Sequence, residues 1–91
     1  MYRVLVNGRN FLIEWDGSVQ KRGFYVTRFV NAEGKESAES EAISALRNDA
    51  HLQELTQNEQ MDPPRLFIEE IEQVSDNNGA ANNTGLSWYD E

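Results

Sequence analysis

The chain's single histidine, His51, is followed three residues later by Glu54. In a helix, these two side chains share a face and could both donate to a metal ion, as half of a site in a helix bundle. One imidazole and one carboxylate are too few ligands, and the chain has no cysteine to add a thiolate. We therefore predict no metal and no other cofactor. A solvent-facing histidine near a helix C-terminus, where the dipole favours its cation, explains the residue.

Acid–base catalysis would need two carboxylates in differently tuned environments. Three acidic residues, Glu14, Glu69 and Glu70, lie beside apolar residues in segments with strand character. The alternative is that each points to solvent or pairs with an arginine on a neighbouring strand. No phosphate-binding loop is present, since the Asn7-Gly8 pair precedes a strand rather than a helix. With no catalytic motif, we interpret the chain as a non-enzymatic protein.

A set of large apolar side chains could form a binding surface rather than a catalytic site. If two segments are strands, period-two alternation places three of these residues on one face of the first strand and two on one face of the next. With one residue from a later strand, the set is Phe11, Ile13, Trp15, Tyr25, Phe29 and Phe67. We expect it to line the sheet face that no helix covers, where such a patch is typical of a subunit interface or a ligand groove. A groove could bind an organic cation, with Glu14 or Glu69 supplying charge.

At 91 residues the chain corresponds to one domain. A domain of this size buries only about 60–65% of the surface that its unfolded chain exposes. No cysteine is available for a disulfide, so we expect self-association to compensate for the small core.

The net charge of −8 is unevenly distributed. Residues 1–31 hold five basic and two acidic residues, whereas residues 32–91 hold three basic and fourteen acidic residues. The acidic total argues against nucleic-acid binding, and a basic half can complement the acidic half of a second copy. The alternative is that the acidic residues simply keep a small protein soluble. Neither a membrane-spanning run nor a signal sequence is evident, so we expect a cytoplasmic protein with no membrane partner.

The central predicted element is a strand over residues 22–30, whose two faces both carry bulky apolar side chains. Before it, residues 2–6 and 11–15 alternate as strands do, and the Asn7-Gly8 pair between them favours a tight hairpin. These segments predict a meander of three antiparallel strands.

The meander is followed by an amphipathic helix. Ser37 is the expected N-cap, because its hydroxyl can accept a hydrogen bond from a backbone N–H one turn later. The helix continues to Arg47 with an apolar stripe that is mostly alanine, which permits close approach to a sheet but buries little area. Residues 49–55 fit either a further turn of this helix or a short second helix.

Pro63-Pro64 ends any helix and leads into a fourth strand over residues 65–74. The apolar residues of this strand do not all fall on one face if it alternates regularly. A β-bulge near Glu69 would bring Ile71 back to the face of the earlier apolar residues. The sequence therefore predicts an α+β fold of order β-β-β-α-β, a small antiparallel sheet with one helix packed on one face.

The end of the chain carries a second group of large apolar residues: Leu86, Trp88 and Tyr89 follow a stretch rich in Asn, Gly and Ala. We divide the chain into an α+β domain at 1–75, a flexible linker at 76–85 and an aromatic docking segment at 86–91. The docking segment either folds back over its own sheet or reaches a neighbouring subunit.

The Gly23-to-Val30 segment, the helix from Ser37 to Arg47, Pro63-Pro64 and Trp88-Tyr89 together resemble short, acidic, uncharacterised bacterial proteins. Proteins of this kind are also found as orphan genes in mobile integron cassettes. The resemblance implies an α+β fold and a bacterial origin, and it carries no activity and no functional residues.

Three functions fit these features. The first is a non-enzymatic module that homo-oligomerises through the aromatic sheet face, with Trp88 and Tyr89 contributing. The second is an acidic immunity- or antitoxin-like protein that masks a basic protein partner with its Glu-rich helix and fourth strand. The third is a binder of a small organic ligand, or a small isomerase, acting in the aromatic groove.

Overall fold

A long antiparallel hairpin dominates the computed structural model, which describes residues 1–75 and 85–91. Its strands are β1 (Tyr2–Trp15) and β2 (Ser18–Val30). The two residues between them, Asp16 and Gly17, have φ angles of 51° and 86°. Two consecutive left-handed residues define the type I′ turn, whose twist matches that of the flanking strands. The Asp-Gly pair therefore closes the hairpin.

The predicted hairpin at Asn7-Gly8 is wrong, because β1 continues through it. Between Gly8 and Phe11 the register with β2 shifts, so that two residues of β1 oppose Gly23 alone. Asn10 has a φ of 61° at this bulge. Both pairs favour tight turns, but only a turn at Asp16 and Gly17 lets the two strands pair along their whole length. The predicted three-strand meander is thus one long hairpin.

Two further strands complete a four-stranded antiparallel sheet of order β3-β1-β2-β4. They are β3 (Arg65–Gln73), paired with β1, and β4 (Ser87–Asp90), paired with β2. The α+β class is confirmed, but the order over the described residues is β-β-α-α-β-β rather than β-β-β-α-β. The bulge predicted near Glu69 is confirmed, since Leu5 opposes Glu70 while Val6 opposes Ile68.

Two helices lie between β2 and β3: α1 (Lys35–Arg47) and α2 (Ala50–Leu55). The prediction that Ser37 caps the first helix is wrong, because α1 begins two residues earlier with Gly34 at its N-cap and no side-chain hydrogen bond there. The second helix is capped at Asp49, whose carboxylate accepts a 2.9 Å hydrogen bond from the backbone N–H of Leu52. Residues 49–55 therefore adopt the second of the two predicted alternatives.

The core lies between α1 and one face of the sheet, which we call the covered face. Its centre is formed by strand residues and small or aliphatic helix residues that are at most 2% exposed, namely Val4, Val6, Ile13, Phe24, Val26, Ala38, Ala42 and Leu46. The alanines let α1 approach the sheet closely, so the large side chains that fill this core come mainly from the strands. Apart from Gly85, the predicted linker at 76–85 lies outside the described residues.

Candidate functional site: the open face of the sheet

The second face of the sheet, which we call the open face, has no helix packed on it among the described residues. Because side chains alternate along each strand, the strand registers place one set of residues on this face. The set comprises Arg3, Leu5, Asn7, Arg9, Leu12, Glu14, Val19, Lys21, Gly23, Tyr25, Thr27, Phe29, Arg65, Phe67, Glu70, Glu72, Ser87 and Tyr89. The part of this face that β3 spans is apolar at its centre and charged at both ends, and Leu12, Glu14 and Val19 lie beyond it towards the hairpin turn.

The centre of the open face is aromatic. Asn7 of β1 lies opposite Tyr25 of β2 on one side and Phe67 of β3 on the other. Tyr25 and Phe67 are 43% and 44% exposed. The Tyr25 ring lies 5.4 Å from the ring of Tyr89, measured between centroids. Three aromatic rings from three strands thus form a partly exposed apolar surface.

Asn7 is the buried polar residue of the described chain, at 5% exposure. Its side-chain Nδ2 donates to the backbone oxygen of Phe24 at 3.1 Å and to the hydroxyl oxygen of Tyr89 at 2.8 Å. Tyr89 lies over Gly23, where a Cβ atom would collide with the tyrosine ring. The amide of Asn7 therefore ties β1, β2 and β4 together beneath the aromatic surface.

The two ends of the part of the open face that β3 spans carry opposite charge. At one end Arg3 pairs with Glu72 at 2.9 Å and lies 3.9 Å from Glu70, so two carboxylates share one guanidinium. We call these three residues the acidic row.

At the other end lie three basic residues, Arg9, Lys21 and Arg65, which we call the basic row. They line a recess of about 360 Å³ with Asn10, Asp62, Phe67 and Glu91. Arg9 Nε lies 3.5 Å from the Glu91 carboxylate, and the backbone N–H of Asn10 donates to the same carboxylate at 2.8 Å. Three cations against two carboxylates leave this end more positive than the acidic row.

The structure divides the predicted set of interface residues between the two faces. Tyr25, Phe29, Phe67 and Tyr89 lie on the open face. The expectation that Phe11, Ile13 and Trp15 also lie there is not met, because the β1 bulge reverses the phase of the strand after Gly8. Phe11 and Ile13 are core residues, at 3% and 2% exposure.

The two tryptophans of the predicted set also lie on the covered face. Trp88 packs edge-on against Phe24 and Phe11, with ring centroids 5.1 and 6.2 Å apart. Trp15 packs against the core, and the guanidinium carbon of Arg22 lies 3.9 Å from the centroid of its ring. These residues therefore stabilise the core and the docking of β4, and they do not form part of an exposed binding surface.

The sequence analysis missed Asn7 and the two charged rows. Asn7 was assigned to a turn, so its place in the middle of a strand was not considered. The rows depend on pairing between residues far apart in sequence, such as Arg9 opposite Arg65 and Arg3 opposite Glu72. The available signal was the alternation of Arg3, Leu5, Asn7 and Arg9 at every second position.

The residues considered for chemistry do not meet in a site. His51 and Glu54 are both exposed on α2, and Glu14, Glu69 and Glu70 are exposed on the strands. Within residues 1–75 and 85–91, no group of three or more histidine or acidic side chains could hold a metal ion. In the same part of the chain, no helix is long and apolar enough to cross a membrane.

A second recess lies at the edge of the core, where α1 and α2 meet the sheet. It has a volume of about 270 Å³ and a mostly apolar lining of Phe11, Leu46, Leu52, Pro64 and Leu66, with Arg47, Gln53 and Thr56 at its rim. Apolar cavities of about 150 Å³ admit benzene, so this recess is large enough for a small organic molecule.

No protein-family model, no curated protein and no solved structure matches this chain significantly.

Proposed function

We propose that the chain is a non-enzymatic module that forms a homodimer by packing the open faces of two copies together. The observation that carries the proposal is the position of Tyr25 and Phe67, two aromatic side chains that are nearly half exposed at the centre of a sheet face. Apolar surface of this kind gains free energy when it is removed from water. Sheet-on-sheet packing at about 10 Å would bury it.

The charges on the open face favour a second copy as the partner. A two-fold axis lying in the interface, and crossing the strands at the row of Asn7, would superpose the aromatic centres of the two copies. The same axis would place the basic row of each copy over the acidic row of the other, because it reverses the strand direction. Such an interface is isologous, so each pairing of opposite charges occurs twice. Complementary charge of this kind fixes the register of the two sheets.

The test is the solution mass of the full-length chain, measured by light scattering from about 5 µM to 500 µM. We expect the mass of two chains for the natural sequence and of one chain for Phe67→Glu, because a carboxylate at the centre of the interface would be desolvated without a partner. Met61→Glu is the matched control, since Met61 is 95% exposed in a loop and receives the same charge. It should remain a dimer.

Two results would contradict the proposal. One is a single-chain mass for the natural sequence over the whole concentration range. The other is a dimer that survives Phe67→Glu, which would place the interface elsewhere. Circular dichroism of each variant shows whether the sheet has formed, so that unfolding is not mistaken for dissociation.

A second candidate function, the binding of a small organic ligand, is supported by the apolar recess between α1, α2 and the sheet. This pocket is a different site from the predicted aromatic groove, and Arg47 at its rim suits an aromatic or aliphatic carboxylate. Indole-3-acetate and benzoate are suitable probes in a thermal-shift assay. A ligand at 100 times its Kd stabilises the folded chain by about 2.7 kcal/mol. No shift with either probe at millimolar concentration would leave the dimer as the better explanation.

A further inference from the structure

The strand β4 and the residue that follows it, Glu91, are held on the sheet by a different contact at each position from 88 to 91. Trp88 packs against Phe24 and Phe11 on the covered face. On the open face, the hydroxyl of Tyr89 accepts the Asn7 hydrogen bond.

The acidic end of the segment also makes specific contacts. Asp90 accepts from Arg22 Nη2 at 2.8 Å; the Arg22 side chain is 12% exposed, whereas the Asp90 side chain is 84% exposed. The Glu91 side chain, 11% exposed, lies between Arg9 and the backbone N–H of Asn10. The edge of β2 therefore forms a site for an extended Trp-Tyr-Asp-Glu segment, bound by strand addition.

This site is unfavourable when empty. Without Asp90, the largely buried guanidinium of Arg22 would keep its contact with Trp15 and a long, 3.5 Å hydrogen bond to Gln20 but lose its carboxylate partner. Its Nε has no hydrogen-bond partner in the described structure. Without Tyr89, one of the short hydrogen bonds of Asn7 is lost. Unpaired buried polar groups and open strand edges both destabilise a fold. Binding of the Trp-Tyr-Asp-Glu segment to this site is therefore favourable whichever chain supplies the segment.

The connection to β4 allows that segment to come from another copy. The strand β4 lies at one edge of the sheet and β3 at the opposite edge, and thirteen residues separate Gln73 from Ser87. Among the described residues, β4 pairs with β2 alone. The covalent connection favours the chain's own β4 only through its effective concentration at the site. A second copy offers identical contacts, so an exchange loses none of them.

We propose that β4 exchanges between copies, so that residues 87–91 of one chain bind the β2 edge of a second chain. The segment is extended, aromatic and acidic, and the Asn7, Arg9 and Arg22 side chains recognise it. This exchange does not depend on the open-face dimer, because the contacts of β4 lie at the edge of the sheet and are complete within one sheet.

The exchange is tested with two full-length variants, Arg22→Asp and Asp90→Arg, both also carrying Phe67→Glu to remove the open-face dimer. Within either chain the site then faces a like charge, whereas each tail matches the site of the other chain. The double variant Arg22→Asp/Asp90→Arg restores opposite charges within one chain and serves as the control. Native mass spectrometry of the mixture measures chains of different mass in one assembly.

We expect the equimolar mixture to contain at least ten times more two-chain species than either variant alone at the same total concentration. That species should hold one copy of each chain. A mixture that behaves as the average of its components, beside a double variant of recovered thermal stability, would overturn the exchange. The open-face dimer is not affected by that outcome, since Phe67→Glu has already removed it.

A second measurement covers the case in which the charge variants do not fold. The full-length Trp88→Ala/Tyr89→Ala variant vacates the aromatic part of the site, and a synthetic peptide of residues 86–91 is added to it. Saturable binding by isothermal titration calorimetry, lost when the two aromatic residues of the peptide are replaced by alanine, supports the exchange. No binding at millimolar peptide contradicts it.

Discussion

The two faces of this sheet are built from the same strands, yet they differ sharply in burial. Phe24 is fully buried on the covered face, whereas its neighbour Tyr25 is 43% exposed on the open face. Both residues are aromatic, and both lie in the middle of β2. Burial here is decided by where α1 packs and not by the hydrophobicity of a face. The open face thus keeps apolar surface available for a partner.

The covered face depends on a few large side chains. The buried residues of α1 are Ala38, Ala42 and Leu46, and alanine contributes little apolar area. Most of the buried volume therefore comes from the strands, with Phe24 the largest fully buried side chain.

The largest effect is expected for Phe24→Ala. Removing this ring leaves a cavity beneath α1 and should lower the free energy of unfolding by about 3–5 kcal/mol, a large part of the roughly 5–15 kcal/mol of a typical small domain. Tyr25→Ala is the matched control and should cost about 1 kcal/mol or less, measured by urea unfolding in the Phe67→Glu background. Equal losses from the two substitutions would contradict the assignment of the faces.

A smaller difference in stability between the two faces is expected when alanine replaces either of two glycines. A Cβ at Gly8 would collide with the Phe24 ring, and a Cβ at Gly23 would collide with the ring of Tyr89. Because Phe24 is enclosed, Gly8→Ala should lower the free energy of unfolding of the whole domain by about 1–3 kcal/mol. Tyr89 lies in an edge strand and can move away, so Gly23→Ala should release β4 alone.

Hydrogen exchange distinguishes these two outcomes. In Gly23→Ala, we expect faster exchange of the β4 amides that pair with β2, with the amides between β1 and β3 still protected. In Gly8→Ala, protection should fall across all the strands. Loss of protection throughout the sheet in Gly23→Ala would show that β4 is an integral part of the core and not a separately docked strand.

The features that depend on the pattern of residues within one segment could be predicted from the sequence. Strand alternation, the α+β class and the bulge at Glu69 follow from the spacing of apolar residues within one segment. The choice between Asn7-Gly8 and Asp16-Gly17 as the hairpin turn does not, because both are favoured turns and the outcome depends on how much of the partner strand can pair. The bulge after Gly8, which places Phe11 and Ile13 on the covered face, likewise depends on pairing with β2 and removed part of the predicted interface.

Two tyrosines on the open face permit a finer comparison. Tyr89 accepts a hydrogen bond from the buried Asn7 amide, whereas Tyr25 is among the more exposed large side chains. Tyr89→Phe should lower the free energy of unfolding by about 1 kcal/mol, the net contribution of a typical hydrogen bond. Tyr25→Phe should change it by less than about 0.5 kcal/mol. We would measure the difference by urea unfolding of both variants in the Phe67→Glu background, so that loss of the dimer does not contribute. Equal losses of unfolding free energy would mean that the Asn7 amide is satisfied without Tyr89.

The smallest effect concerns the two charged ends of the open face. If the basic row of one copy faces the acidic row of the other, added salt should weaken the dimer, because exposed ion pairs contribute only about 0–1 kcal/mol and are screened. Raising NaCl from about 0.05 to 0.5 M should increase the dimer Kd by a few-fold, measured by sedimentation equilibrium. Glu72→Gln removes one carboxylate of the acidic row and should reduce this salt dependence while leaving the aromatic contact in place. A dimer that tightens with salt would mean that apolar contact alone holds the two sheets, and that charge does not set their register.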